Sequence, residues 1–214
     1  MQEVNFQSIK SVSQPLFIVM EGIDGSGKST QAKLLNDYLL SLDISTILTR
    51  EPGGTQLAEH LRKIILDPQI ACNSKSELLL FMASRSAHVE DIIKPAIAAQ
   101  KTVVCDRFYL STFAYQGYGR GLFLDDIRLL NDFATSMLKP DLTFIFDVNV
   151  KTALSRTGKD ADRFEDEGVA FMENVARGYR ELALTENNCF MISSDDSVEG
   201  TFFEVKQIID NVLN

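Results

Sequence analysis

The sequence predicts an α/β protein in which a five-stranded parallel sheet is flanked by helices on both faces. Three observations carry that expectation. Short apolar runs of strand length alternate with longer stretches whose apolar residues recur at helical spacing. Residues 142–148 are almost continuously apolar, the pattern of a parallel strand buried on both faces. Residues 16–20 form another such run, and it leads straight into Glu21-Gly22-Ile23-Asp24-Gly25-Ser26-Gly27-Lys28-Ser29-Thr30, which meets the G-x-x-x-x-G-K-[ST] pattern at Gly22, Gly27, Lys28 and Ser29. A strand, a glycine-rich turn and a helix in that order make a phosphate-binding loop, so the fold expected is that of the P-loop NTPases. Residues Gly22, Ile23, Asp24, Gly25, Ser26, Gly27, Lys28, Ser29 and Thr30 would cradle nucleotide phosphates at a helix N-terminus, with Lys28 on the β/γ-phosphates and the Ser29 hydroxyl on Mg²⁺.

The remaining elements follow in order. Apolar residues at Ala32, Leu34, Leu35, Tyr38, Leu39 and Leu42 give residues 29–42 a helical stripe. Residues 44–48 form a short strand candidate, and Thr49-Arg50-Glu51-Pro52-Gly53-Gly54-Thr55 reads as a loop, with Thr55 placed to cap a helix over 56–66. Asp67-Pro68 ends that pattern. A long helix is expected over 76–99, kinked or broken near Pro95, and then a strand over 102–105 that ends on Asp106-Arg107. Residues 109–116 look helical, Gly117, Gly119 and Gly121 predict a loop, and a helix from about 125 to 138 stops before Pro140. After the strand at 142–148 come a short helix over 150–156, a charged stretch over 157–168, a helix over 169–184, a strand over 189–192 and a closing helix over 198–212.

Composition narrows the partners. The 21 Lys and Arg against 30 Asp and Glu leave a net charge of -9, which argues against a nucleic-acid polymer or an anionic membrane, because both demand a basic face. A small nucleotide needs only local cations. Cys72, Cys105 and Cys189 are an odd number with no C-x-x-C pair, as expected for reduced thiols in a cytoplasmic protein. No apolar run reaches the length of a membrane span. Residues 1–14 lack the apolar centre of a secretory signal, so residues 1–15 are read as a flexible extension ending at Pro15. Residues 16–214 are read as one domain carrying a mobile lid at about 156–167.

Three further stretches bear on chemistry. In α/β sheets ligands gather at the carboxyl ends of strands, so Asp106 can hold Mg²⁺ through water and Arg107 can reach a phosphate; a simple strand-end ion pair is the alternative. Arg156, Lys159 and Arg163 lie in the charged stretch, which is either a solvated loop or a basic flap that closes over phosphates and excludes water. Phe81 and Arg85 are four residues apart on one helix face, where a ring and a guanidinium can stack on a base and bond its edge, or simply be a core Phe beside a surface Arg.

Taken together, the phosphate loop, Arg50-Glu51-Pro52-Gly53-Gly54-Thr55, Asp106-Arg107-Phe108 with Ser111 and Ala114-Tyr115-Gln116, and Asp162-Arg163-Phe164-Glu165 closely resemble the thymidylate kinase family. The resemblance implies transfer of the ATP γ-phosphoryl to the 5′-phosphate of dTMP with Mg²⁺, a step toward dTTP, by a homodimer. It implies that Asp24 binds the deoxyribose 3′-OH or otherwise orients the acceptor. Phe81 would stack on thymine, Arg85 would bond its O4 edge, and Ser111 and Gln116 would complete the base contacts. Tyr115 would pack under C2′, Pro52 would line the acceptor pocket, and Arg50 and Arg107 would grip the acceptor phosphate. Members carry the catalytic cation either inside the phosphate loop or in the lid. Here Gly25-Ser26 follow Asp24 with no basic residue before Gly27, so the charge falls to Arg156 and Arg163, with Lys159 secondary; this is similar to the bacterial arrangement. The rival readings are another P-loop nucleoside or nucleotide kinase, a GTPase-type switch and an inactive nucleotide-binding module. The switch lacks an N-K-x-D motif, and the joint presence of Lys28, Ser29, Asp106 and Arg107 counts against the inactive module.

Overall fold

The structure is a computed structural model that describes residues 14–156, 163–164, 167–195 and 197–213. Five strands form one parallel sheet in the order β2-β3-β1-β4-β5: β1 Phe17–Glu21, β2 Thr46–Arg50, β3 Thr102–Asp106, β4 Leu142–Asp147 and β5 Cys189–Ser193. The chain first builds to one side of β1 and then to the other, so the loop after β1 sits where the winding reverses, the place ligands occupy in such sheets.

Alternation along the strands divides the core in two. Phe17 and Val19 point with Val103, Cys105 and Ile145 into the larger cluster, against α3 (Ser74–His88), α5 (Tyr109–Thr112) and α8 (Val169–Thr185). Ile18 and Met20 point with Val104, Phe144 and Phe146 into the other, closed by Ala32, Leu35 and Leu39 of α1 (Lys28–Ser41) and Val205 and Ile209 of α9 (Val198–Leu213). α2 (Gln56–Leu66) is capped by Thr55 as expected, its hydroxyl accepting from Ala58 N at 3.1 Å. All three cysteines are free, Cys105 buried and the other two partly exposed. Among the described residues no helix is long and apolar enough to cross a membrane.

The structure departs from the sequence expectations at four places. β2 begins at Thr46, because Ile44 belongs to the close of α1: its N–H bonds Leu39 O at 3.1 Å. The long helix does not break at Pro95. It passes through a π-helical stretch, Val89–Ile93, and Pro95 lies in the first turn of α4 (Lys94–Ala98), directly after it. Gly117 and Gly119 are not in a loop but within a second π-helical stretch, Phe113–Gly119. A Cβ on Gly119 would lie 2.6 Å from the Phe171 ring, so smallness here serves close packing against α8. Finally, α6 (Leu124–Thr135) stops early because Ser136 and Met137 turn left-handed, with φ of 51° and 61°. The short helix α7 (Val150–Arg156) is as expected. Residues 1–13, and 157–162 and 165–166 of the stretch read from the sequence as a lid, lie outside the described residues, as does Lys159.

Candidate active site

The phosphate loop has the geometry its glycines permit. Gly25 presses so closely on α7 that a Cβ would fall 2.1 Å from Ala153 O, and Gly27, at φ 85°, opens α1 without any side-chain cap. The first N–H groups of α1 are therefore left for an anion. Lys28 is buried, with Nζ donating to Ile23 O and Asp24 Oδ1, each at 3.3 Å. Burial, and then the nearby Arg107 charge, pull its pKa below the ordinary lysine value. A groove runs from this loop along Arg156, Ser194, Ser197 and Thr201. Arg156 is fixed over it, Nη1 donating to Ser194 O at 3.1 Å and reaching Gly25 O at 3.5 Å.

One edge of the loop suits a hard cation. The Ser29 hydroxyl donates to Asp106 Oδ2 at 2.5 Å, while Asp106 Oδ1 is buried and has no hydrogen-bond partner among the described residues. An orphaned carboxylate oxygen beside a hydroxyl is the oxygen-only donor set that Mg²⁺ takes, with water and phosphate completing its shell. No group of three or more His, Cys, Asp or Glu side chains could hold a metal among the described residues.

On the other side of the loop lies a second pocket, lined by Asp24, Pro52, Phe81, Arg107, Ser111, Tyr115 and Gln116 among others. Arg107 organises it from a left-handed backbone, φ 71°, a conformation that costs a non-glycine residue about 1–3 kcal/mol. Its Nη1 donates to Gly22 O, Ser111 Oγ and Tyr179 OH at 2.9, 3.1 and 3.2 Å, and its Nη2 donates to Asp24 Oδ1 at 2.6 Å. Burial alone would raise the Asp24 pKa; Arg107 and Lys28 outweigh it and hold the carboxyl well below the usual range. Tyr115 OH donates to Asp24 Oδ2 at 3.0 Å. The loop that faces the donor groove thus also supplies a wall of the second pocket.

Several expected residues are placed less simply. Arg85 is not a surface residue: it is 2% exposed, with Nε on Glu51 at 2.7 Å, Nη1 on Thr112 and Asn131, and Nη2 on Phe108 O. Four of its five donors are used, and one N–H on Nη2 is left. Arg50 is half exposed, holds Glu59 at 3.1 Å, and borders a basin that also contains Ser29 and Asp106. Ser111 is committed to Glu21 Oε2 at 2.6 Å. The structure does not bring Arg163 to the phosphate loop; its Nη2 lies 2.7 Å from Glu77 Oε2.

Sequence reasoning missed Glu21, Tyr179, Phe164 and Arg62. Glu21 is fully buried at the end of β1, accepting from Phe108 N, Ser111 and Tyr179, and burial raises its pKa against those hydrogen bonds. A carboxylate closing an otherwise apolar strand was the available signal. Tyr179 had none beyond its place in an apolar helical stripe. Phe164 packs between Phe81 and Tyr115, with ring centroids 6.0 and 5.7 Å away. Arg62 lines the pocket and donates to Pro52 O at 2.9 Å.

Known proteins resemble this chain closely. A sequence model described as Thymidylate kinase matches residues 20–205. The thymidylate kinase of Thermosipho africanus is 44% identical over 199 residues, covering 92% of this chain and 99% of its own. That of Geotalea daltonii is 48% identical over 186 residues, covering 82% and 87%. The crystal structure of thymidylate kinase from Ehrlichia chaffeensis superposes with a TM-score of 0.77 at 38% identity, covering 92% of this chain and 99% of that one.

Proposed function

The chain belongs to the thymidylate kinase family, of the bacterial type, and transfers a phosphoryl group from ATP to dTMP, giving ADP and dTDP; from that premise we propose the role of each side chain. The observation that carries the assignment is Asp24. It stands in the phosphate loop, pairs with Arg107 at 2.6 Å and accepts from Tyr115 at 3.0 Å, so donor and acceptor sites share one wall.

Phosphoryl transfer needs positioning and cations more than covalent help from the protein. ATP phosphates lie along residues 22–30, with Lys28 on the β/γ oxygens and Arg156 across the groove. Ser29 and Asp106 would hold Mg²⁺, which when bound would supply positive charge against the phosphates. On the acceptor side Arg107 and Arg50 take the dTMP phosphate, and Asp24 orients the sugar. Phe81 stacks on thymine, Tyr115 sits where a 2′-OH would be, and Pro52, Ser111 and Gln116 complete the wall; Arg85, which is not among the residues that line this pocket, is assigned to O4 through its one remaining N–H. Arg163 belongs to the lid and reaches the transferred group only by leaving Glu77.

Turnover of ATP is expected to be fastest with dTMP, weaker with dUMP and absent with thymidine, measured as ADP release in a coupled assay. Faster turnover with thymidine would overturn the assignment of a monophosphate acceptor.

We also assign the protein to the cytoplasm and to a homodimer. Leu129, Phe133 and Met137, spaced four apart at and just beyond α6, are 72%, 86% and 73% exposed, and Leu79 of the adjacent α3 is 55% exposed. Such a patch marks an interface. Phe133→Glu should convert a sedimenting dimer to monomer, whereas an unchanged dimer removes this face from the contact.

A further inference from the structure

Glu77 has no place in the roles above, yet it is 0% exposed and accepts four hydrogen bonds from three side chains. Gln116 Nε2 donates to its Oε1 at 2.8 Å, Arg120 Nε to Oε1 at 3.3 Å, Arg120 Nη2 to Oε2 at 3.3 Å, and Arg163 Nη2 to Oε2 at 2.7 Å. The two arginines fix the carboxylate in position and balance its charge. Arg120 is itself steadied by Glu167 and by the Phe171 ring, 4.9 Å from its guanidinium carbon.

A carboxylate between two guanidinium groups can only accept hydrogen bonds. Gln116 is therefore compelled to turn its NH₂ toward Glu77, which settles the orientation of an otherwise two-fold amide. Its Oε1 accepts nothing from the described residues, and it is not among the buried atoms that lack a partner. Gln116 as a whole is only 1% exposed, and the space it lines is the acceptor pocket.

We infer that Glu77 is a positioning residue for base selection: by holding the Gln116 amide, it makes Gln116 Oε1 an obligate acceptor in the pocket. An acceptor on this wall matches the N3–H of a keto pyrimidine. Cytosine presents a bare N3 instead, and there meets an acceptor with an acceptor. The inference rests on this pocket being the nucleotide acceptor site.

Glu77→Gln is the decisive substitution, because a glutamine there can donate to Gln116 and let its amide turn over. A site built to hydrogen-bond a substrate rejects the mismatched analogue by as much as about 10⁴–10⁵, so Glu77→Gln should narrow the kcat/KM ratio of dTMP over dCMP by at least about tenfold. KM for dTMP should rise while KM for ATP stays within about twofold. In a Gln116→Ala background, Glu77→Gln should leave the dTMP/dCMP ratio unchanged, since there is no amide to orient. Glu77→Asp keeps the charge but shortens the reach, and should move the ratio the same way by a smaller factor; it carries the test should Glu77→Gln not fold. An unchanged ratio in the folded Glu77 variants, with Gln116→Ala altering it, overturns the inference. No effect of Gln116→Ala on dTMP or dCMP overturns instead the assignment of the pocket.

Discussion

Lys28→Ala is expected to lower kcat by about 10²–10³ or more, the scale seen when one preorganised charge or donor is taken from a transition state. The reason lies in where the ammonium is kept. It is buried beside Asp24 and held to Ile23 O, so it is already aimed and partly stripped of water before any nucleotide arrives. Its charge works in a medium of lower dielectric than water, and no solvent must rearrange as negative charge shifts toward the bridging oxygen. Far-ultraviolet circular dichroism should be unchanged, because the α1 backbone does not depend on this side chain. Near-normal turnover would remove Lys28 from the phosphate site.

Arg107→Met should affect both activity and stability. Loss of the guanidinium deprives Gly22 O, Ser111, Tyr179 and Asp24 of a shared donor, and kcat/KM for dTMP is expected to fall by about 10²–10³. Breaking a buried ion pair costs about 3–5 kcal/mol, and the 27% exposure of the Asp24 side chain places this one at the low end. The pH dependence has a definite sign. A carboxyl with a lowered native pKa adds stability that is present above its unfolded pKa and is lost as pH falls through the native one. Arg107 is the largest of the influences that lower the Asp24 pKa, so in Arg107→Met that stabilisation shrinks and acid unfolding begins at higher pH than in the unmodified protein. Titration followed by circular dichroism checks this; coincident acid limbs would mean that Arg107 does not hold Asp24 ionised. Arg107→Lys is not a mild change, since a single ammonium cannot span these four partners.

Local chemistry was legible in the sequence wherever it is carried by contiguous residues. The phosphate loop, the Thr55 cap and the apolar run of β4 each state their structure in a few letters. What could not be read are contacts between segments far apart in the chain. Arg85 looked like half of a base-reading pair, but its guanidinium is mostly spent on Glu51, Thr112, Asn131 and Phe108, brought together only by the folded sheet. Arg163 carried the right charge for the donor phosphates, but Glu77, 86 positions earlier, claims it. The glycines after Gln116 signalled a turn by composition, whereas in the fold Gly117 and Gly119 give room to Leu124 and to the Phe171 ring.

The π-helical stretch Phe113–Gly119 has a consequence for how this sequence can change. Each i→i+5 register holds one residue more than an α-turn, and a residue turns a helix by about 100°. Deleting a single residue between Phe113 and Gly119 would let the segment relax into the more common helix while preserving its hydrogen bonds. Taken before Tyr115, the deletion would turn Tyr115 and Gln116 out of phase with Arg107, and taken after Gln116 it would turn Arg120 away from Glu77. Length in this stretch is therefore constrained as well as residue identity. A one-residue indel that an ordinary helix end would absorb as a shift in the loop here separates folding from catalysis.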